Sequence, residues 1–239
     1  METLACTSMR IIRGTITTAT VLVLLTACAG GDSTATKSNN GDDAEADGEP
    51  GKIVESGFGQ SGQYVTGIAV VKATSKESVG ESVTVSANFK DKAGEVVITE
   101  EQVEGFWWEG QEIVLPVFVD LGDQETAEIE SVDFELSVSD YTPTTKSRAA
   151  LPKVDADKVA KDEYGGVAAK FTFENPLDKK LTDPRIGVLC RDKAGKIVGG
   201  SSVYPSFIAA KGKIVETVGD LIVTGTPKTC TAYPSYDVI

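Results

Sequence analysis

The chain has 239 residues, of which 41% are hydrophobic, enough for one large domain or two small ones with packed cores. Its formal net charge of −13 favours solubility and argues against nucleic acid as a partner. The chain has no histidine, and both methionines lie within its first nine residues. This excludes Ser-His-Asp and Cys-His catalytic sites and the metal sites that need imidazole or thioether ligands, and we predict neither a metal nor a cofactor.

The N-terminus has the pattern of a secretory signal peptide. Arg10 and Arg13 precede a short apolar run that ends in LVLLTAC. From Gly14 to Ala27 this run has 14 residues, fewer than the ~20 that span a bilayer as a helix. We therefore predict a signal peptide over residues 1–27, which starts at one of the two methionines.

The end of this segment, Leu25-Thr26-Ala27-Cys28, resembles the lipobox of bacterial lipoproteins. The resemblance implies cleavage before Cys28, acylation of its thiol with palmitate-type chains, and a lipid-anchored position on the extracytoplasmic face of the cell membrane. Each buried CH₂ contributes about 0.8 kcal/mol, so two or more acyl chains would hold the protein stably. The alternative is an ordinary signal peptide with an incidental cysteine.

A polar segment follows the lipobox. Residues 29–51 contain no aromatic or large aliphatic residue, and their six acidic side chains stand against Lys37 alone. Such a composition cannot bury enough apolar surface to fold. We predict a disordered acidic tether over residues 28–52, with an average span of about 25–30 Å.

Beyond the tether, apolar and polar residues alternate with a period of two, which is typical of half-buried antiparallel strands. The apolar positions expected to face a core are Val83, Val85, Ala87 and Phe89; Val132, Phe134, Leu136 and Val138; Val167, Ala169, Phe171 and Phe173; and Ile186, Val188 and Cys190. No long stretch has a helical period, and residues 154–163 predict at most one or two helical turns. The fold class is therefore predicted to be all-β.

A repeated turn indicates how these strands are organised. Asp-Lys-Ala-Gly occurs at residues 91–94 and again at 192–195, an offset of 101. Its glycine accepts the positive φ that closes a short hairpin loop. We interpret the repeat as a tandem duplication, with β-sandwich modules over residues 53–140 and 163–239 and a linker over residues 141–162.

Modules of about 80 residues with several short strands have the size of Ig-like β-sandwiches. The pair resembles the tandem Ig-like modules of bacterial envelope lipoproteins that are grouped as FxLYD-type domains. The motif that names that group is not intact here. The resemblance implies a fold and no specific activity.

Outside the leader and the lipobox the chain has two cysteines, Cys190 and Cys230. In an exported chain an even pair predicts a disulfide, although a redox or metal-binding thiol pair is an alternative. In the repeat, Cys190 corresponds to Phe89 and Cys230 to Val132. We therefore expect the first module to pack Phe89 against Val132 or Phe134 where the second has a covalent link, which would add at most ~4 kcal/mol.

Five side chains are candidate ligand contacts. Trp107 and Trp108 are adjacent on a predicted strand, so one ring should enter the core and the other should face outward or towards the second module. An outward ring could stack on a sugar or a peptide. Lys179, Lys180 and Arg185 lie near one loop of the more basic half, where they could meet an anionic envelope polymer.

Charge is distributed unevenly between the predicted modules. Residues 53–140 carry 18 acidic side chains and 4 lysines, whereas residues 141–239 carry 15 basic and 11 acidic side chains. The acidic DLGDQE segment (120–125) has oxygen ligands for calcium but lacks the spacing of a known calcium loop, so an acidic surface loop is the simpler interpretation.

These patterns favour a non-enzymatic binding or interaction protein of the cell surface. Its expected partner is an unknown surface protein or an anionic envelope polymer, and the lipid on Cys28 would attach it to the membrane. Two alternatives remain: an accessory subunit of an envelope transport or assembly machine, and an unrecognised hydrolase.

Overall fold

The alternating sequence patterns form β-strands, and the predicted all-β class is confirmed. The structure is a computed structural model that describes residues 49–122, 127–139, 147–162 and 165–236. The strands are β1 (Gly51–Ser61), β2 (Tyr64–Ala73), β3 (Ser82–Lys90), β4 (Val96–Gly105), β5 (Glu112–Asp120), β6 (Ser131–Ser139), β7 (Val154–Asp155), β8 (Lys158–Lys161), β9 (Val167–Glu174), β10 (Leu181–Thr182), β11 (Arg185–Arg191), β12 (Ile197–Val203), β13 (Phe207–Ile208), β14 (Lys213–Val223) and β15 (Thr229–Ser235).

These strands pair into antiparallel sheets. Strands β1–β6, which we call the N-terminal half, form the three-stranded sheets β1-β2-β5 and β4-β3-β6. Strands β7–β15, the C-terminal half, form the seven-stranded sheet β7-β15-β11-β12-β14-β9-β8 and the small sheet β10-β13. Both halves belong to one compact unit, residues 44–239.

The two halves have the same strand order. The sheet β1-β2-β5 corresponds to the run β8-β9-β14, and the sheet β4-β3-β6 corresponds to β12-β11-β15. In the C-terminal half the two groups are joined into one sheet because Gly199 and Gly200 of β12 pair with β14. This is the order that a tandem duplication would give, and the division into two modules remains an interpretation of it.

The repeated turns have the same hydrogen bonds. Asp91 Oδ1 accepts hydrogen bonds from the backbone N–H groups two and four residues further along, and Asp192 Oδ1 does the same. Gly94 and Gly195 have φ angles of 82° and 85°, in the region where a side chain would be strained. The same four residues therefore close the β3–β4 and β11–β12 hairpins in the same way.

Each half has its own hydrophobic core. In the N-terminal half the predicted inward face of β3, from Val83 to Phe89, is 0% exposed at every alternate position. In the C-terminal half the predicted inward residues of β9 are likewise buried. Strand β11 differs from the prediction, because it is buried on both faces. Leu189 points away from Cys190 and packs in a third cluster with Ile68 and Val70 of β2.

The predicted disulfide between Cys190 and Cys230 is confirmed. The two residues are direct neighbours on β11 and β15, with their Cα atoms 4.0 Å apart. Phe89 lies directly opposite Val132 on β3 and β6. The two pairs occupy corresponding places, so the C-terminal half has a covalent link where the N-terminal half has a packing contact.

Residues 154–161 differ from the sequence expectation of at most a helical turn. They form β7, which pairs with β15, and β8, which pairs with β9. Part of the predicted linker is thus integrated in the sheet of the C-terminal half. The described residues contain no helix with the length and apolar character needed to cross a bilayer.

The two halves meet through a close approach of their backbones at three glycines. A methyl group on Gly57 of β1 would lie 2.7 Å from Ile197 Cβ, and one on Gly59 would lie 2.1 Å from the carbonyl oxygen of Val198. On the other side, a methyl group on Gly187 would lie 2.4 Å from the carbonyl oxygen of Val114. We call Gly57, Gly59 and Gly187 the glycine seam, because any larger residue would separate the sheets.

We expect the substitution Gly59→Ala to lower the free energy of unfolding by about 1–3 kcal/mol, because the added methyl group overlaps a backbone atom that cannot move alone. Urea denaturation of the full-length protein measures the change. Gly219→Ala is the matched control, since a methyl group there meets no atom within 4 Å. Equal stabilities of the two variants would contradict a tightly packed seam.

Candidate functional site

The two candidate tryptophans lie between the halves. Trp107 is 4% exposed and packs in the core cluster of the C-terminal half, with the guanidinium of Arg148 4.0 Å from the centre of its ring. Trp108 is half-buried and meets Tyr236 edge to face, with ring centroids 6.2 Å apart. Trp107 is therefore a packing residue, whereas Trp108 also lines a small pocket with Lys153 and Tyr233 and remains a candidate ligand contact.

Arg185 is also placed at the boundary between the halves. It begins β11 and forms an ion pair with Glu104 near the end of β4. Both residues are nearly inaccessible, at 6% and 2% exposure. Burial lowers the pKa of the Arg185 guanidinium, which still carries its charge at neutral pH because its ordinary pKa is so high. Arg185 therefore does not belong to an exposed basic surface.

Lys179 and Lys180 remain on the surface, at the turn that precedes β10. The ammonium group of Lys180 lies 4.3 Å from the centre of the Phe207 ring, which is 49% exposed. In the same turn, Asp178 Oδ1 forms an ion pair with Lys211 Nζ at 3.2 Å. The structure thus leaves two of the three predicted basic residues exposed and places one of them, Lys180, beside an aromatic ring.

The acidic segment is described only in part. Asp120 Oδ1 accepts hydrogen bonds from Gln63 Nε2 at 2.8 Å and from the N–H of Gly122 at 2.9 Å. Asp123, Glu125 and the predicted lipid site Cys28 lie outside the described residues. Within the described ranges no three His, Cys, Asp or Glu side chains are grouped so that they could hold a metal.

A cleft that the sequence did not indicate opens between the two halves. Its volume is about 540 Å³. The N-terminal half contributes the adjoining ends of β1, β2 and β5, and the C-terminal half contributes β12, β14 and the residue before β9. The lining residues are Ser61, Tyr64, Phe118, Gly166, Ser201, Asp220, Leu221 and Ile222.

Two stacked aromatic rings stand at this cleft. Tyr64 and Phe118 are 43% and 54% exposed, and their ring centroids are 6.0 Å apart with 25° between the planes. Their position follows from the register: Thr66 pairs with Phe118, so Tyr64 is the diagonal neighbour of Phe118 on the same sheet face. Further along this face, Ile68 is covered by the C-terminal half. The two rings continue the apolar face beyond that cover.

The polar groups of the cleft come mainly from hydroxyls and one carboxylate. Ser61 and Ser201 line it from opposite halves. Asp220 has a φ of 51° where β14 bulges between Val218 and Leu221, and a bulge of this kind redirects a side chain out of the regular strand pattern. Asp220 is the one charged side chain among the described lining residues. The cleft therefore offers an exposed, stacked pair of aromatic rings and hydrogen-bonding groups.

The alternation of apolar residues in β5 is a sequence signal for the position of Phe118. Leu115, Val117 and Val119 of β5 face inward, so the alternation places Phe118 on the outer face. The sequence does not reveal that the C-terminal half covers most of this face and leaves its end open.

Ion pairs also connect the two halves at the rim of their boundary. Arg191 of β11 donates hydrogen bonds to Glu55 of β1 from its two terminal nitrogens, Nη1 and Nη2, and Nη2 lies 2.6 Å from Glu55 Oε2. The hydrogen bonds from Arg191 hold the pKa of the Glu55 carboxyl below its ordinary value. Lys153 bonds to Glu112 of β5 and lies 4.8 Å from the Tyr233 ring. These contacts lie on both sides of the shared face.

Comparisons with known proteins give no family. The chain matches no protein-family model and no curated protein. Among solved structures it is similar to red sea bream transglutaminase, with 12% sequence identity and a TM-score of 0.27. The match covers 79% of this chain and 30% of that enzyme, so this chain spans less than a third of its length. A TM-score this low supports no conclusion about fold or activity.

We expect Arg185→Met to lower the free energy of unfolding by about 3–5 kcal/mol, because it leaves the Glu104 carboxylate buried without its partner. The double variant Arg185→Met/Glu104→Leu should recover most of that loss, since neither charge then remains in the interface. Urea denaturation measures both.

Lys180→Met serves as the control for the ion pair, because that side chain is exposed and its replacement should change stability by no more than about 0.5 kcal/mol. The buried ion pair would be refuted if Arg185→Met behaved like the control. It would also be refuted if the double variant lost the sum of the two single effects.

Proposed function

We propose that this protein is an exported, lipid-anchored binding protein of the cell surface, which acts without catalysis and holds an envelope polymer in the cleft between its halves. The proposal rests on the lipobox-like end of the leader, the predicted acidic tether and the exposed aromatic cleft. An accessory role in an envelope transport or assembly machine is compatible with the same features.

The stacked pair of Tyr64 and Phe118 carries the binding part of this proposal. Apolar rings that stay exposed at 43% and 54% beside a cleft are typical of a recognition surface rather than of a core. We call this stacked pair the aromatic platform of the cleft. A sugar ring has an apolar C–H face that can pack against aromatic rings, and hydroxyls at its edge that can bond with Ser61, Ser201 and Asp220.

The charge of the cleft favours a neutral glycan segment over an anionic one. Asp220 supplies a carboxylate to the lining, and an anionic polymer would be repelled by it. The expected basic surface is reduced to Lys179 and Lys180, since Arg185 is buried against Glu104. We therefore assign the polymer to the aromatic cleft and not to the basic loop.

The proposed lipid anchor on Cys28 can be tested by measuring in which cell fraction the protein is found. We expect Cys28→Ser in the full-length protein to shift it from the membrane fraction to the soluble extracytoplasmic fraction, because a chain without acyl groups loses about 0.8 kcal/mol per CH₂ of membrane affinity. Cell fractionation with immunodetection measures the shift. Cys6→Ser, a second leader cysteine, should leave the protein at the membrane. Retention of Cys28→Ser at the membrane would refute the lipid anchor.

Binding can be tested on an array of neutral and anionic oligosaccharides, with the full-length protein in detergent. We expect retention on one or more neutral glycans, and a decrease of about tenfold in apparent affinity for Tyr64→Ala or Phe118→Ala, because each change removes half of the platform.

The matched control is Phe207→Ala, since Phe207 is similarly exposed but lies outside the cleft. It should bind as the unmodified protein does. If Phe207→Ala or Lys180→Ala weakened binding while Tyr64→Ala did not, the basic loop would be the site and the cleft assignment would be wrong. Binding of the whole array at background level would also count against a glycan-binding function.

A further inference from the structure

A second surface lies at the other end of β1, along the free edge of β6. Strand β6 pairs with β3 on one side, and no described residue pairs with its other side. Between this edge and the start of β1 runs an open groove of about 530 Å³, lined by Glu49, Pro50, Gly51, Lys52, Ile53, Phe134, Leu136, Ser137 and Val138. The groove lies about 30 Å from the cleft between the halves, because Gly51 lines the groove, Ser61 lines the cleft, and the two residues are the opposite ends of the eleven-residue strand β1.

The C-terminal half shows what occupies the corresponding edge there. Strand β15 corresponds to β6, and its outer edge is covered by β7, with Thr231 opposite Asp155 and Ala232 opposite Val154. Val154 packs against the core, and Asp155 points outward and accepts a hydrogen bond from Thr231 Oγ1 at 2.8 Å. The covering segment is thus an antiparallel strand with alternating apolar and polar residues.

In the N-terminal half the same place is left open. The start of β1 stays paired with β2, with Gly51 opposite Ala73 and Lys52 opposite Lys72, and does not cross to β6 as β7 crosses to β15. Along the groove the inward side chains Phe134, Leu136 and Val138 remain half-buried. An apolar slot therefore lies beside a row of unpaired backbone groups, which is the surface that β-strand addition requires.

We propose that the edge of β6 binds an extended peptide strand of another protein, antiparallel to β6, in which apolar residues alternate with lysine or arginine. The apolar residues fill the slot over Phe134 and Leu136. The basic residues lie beside the exposed outward side chains of β6, chiefly Glu135, because the carboxylate of Asp133 already forms an ion pair with Lys90. Asp133 holds the place of Thr231, whose hydroxyl bonds to the covering strand in the other half.

Charge and composition exclude two other occupants. Residues 29–48 of the chain have no large apolar side chain and are acidic, so they can neither fill the slot nor pair with Glu135. A second copy joined edge to edge through β6, with the pairing centred near Phe134 where the slot is, would bring its own Asp133 and Glu135 against those of the first copy, and like charges on neighbouring strands are destabilising.

Amide hydrogen exchange of the unmodified, full-length protein in detergent tests the proposal without any risk of misfolding. The probe is a nine-residue synthetic peptide that alternates valine and lysine. We expect it to slow exchange across residues 131–139 by about tenfold at saturation, because strand addition bonds the free backbone groups of β6. Strand β4 is an internal control: it is the other edge of the same sheet and does not line this groove, so its exchange should not change.

Three outcomes of this experiment would overturn the proposal. The first is unchanged exchange at residues 131–139. The second is equal slowing at β4 and β6, which would indicate general attraction to an acidic surface. The third is equal protection by a peptide that alternates valine and glutamate. Protection of β6 that rises with protein concentration in the absence of peptide would instead assign the edge to a second copy.

A pair of charge variants tests the basic residues of the ligand. Glu135 and Glu101 flank Ser86 on opposite sides, in one row across the sheet. Glu135→Lys should lower the affinity for the valine–lysine peptide by about three- to tenfold, since a favourable cross-strand pair becomes a repulsive one. Glu101→Lys, which makes the same change of charge two strands further away, should have a smaller effect. Equal weakening by both would show that only net charge matters and would end the proposal.

Discussion

The close approach of β1 to β12, and of β11 to β5, is the constraint on which the rest of the structure depends. At Gly57, Gly59 and Gly187 there is room for a backbone and not for a side chain. This contact buries the outer face of the sheet β1-β2-β5, and it lets Leu189 enter a cluster with Ile68. Without it the two halves would be connected by the chain alone, and no cleft would form between them.

The seam is supported by ion pairs whose burial decreases from the centre of the boundary to its rim. The pair of Glu104 and Arg185 is nearly inaccessible, whereas Glu55 is 40% exposed beside Arg191. A buried pair contributes little to stability on balance but is costly to break, so it favours one arrangement of the two halves over others. A rim pair is screened by water and salt and contributes about 1 kcal/mol or less. The glycine contacts allow the two halves to approach closely, and the buried ion pair favours one orientation of the halves.

Much of the local structure could be predicted from the sequence, because it depends on neighbouring residues. The period of two placed Phe89 and Phe171 in cores, and the repeated turn predicted hairpins that have the same hydrogen bonds. The repeat also predicted that the disulfide of Cys190 and Cys230 takes the position that Phe89 and Val132 occupy in the N-terminal half.

The site could not be predicted in the same way, because it depends on contacts between distant segments. Arg185 has the sequence context of a surface residue, and only the fold brings it to Glu104. Tyr64 and Phe118 become a platform because the C-terminal half covers the rest of their face and leaves that end free. Whether a particular outward side chain is buried or exposed is decided by the seam, and the alternation within one strand has no information about it.

The two halves differ at their edges although they share one strand order. In the C-terminal half the first strand is divided, and β7 covers the edge of β15 while β8 pairs with β9. Strand β1 is not divided. Its part from Glu55 to Gly59 contacts β12 and Arg191, as the boundary between the halves requires, and its first residues, Gly51 and Lys52, also stay paired with β2. The edge of β6 is open because these first residues do not cross to it, so one difference in the course of the first strand separates a covered edge from an exposed one.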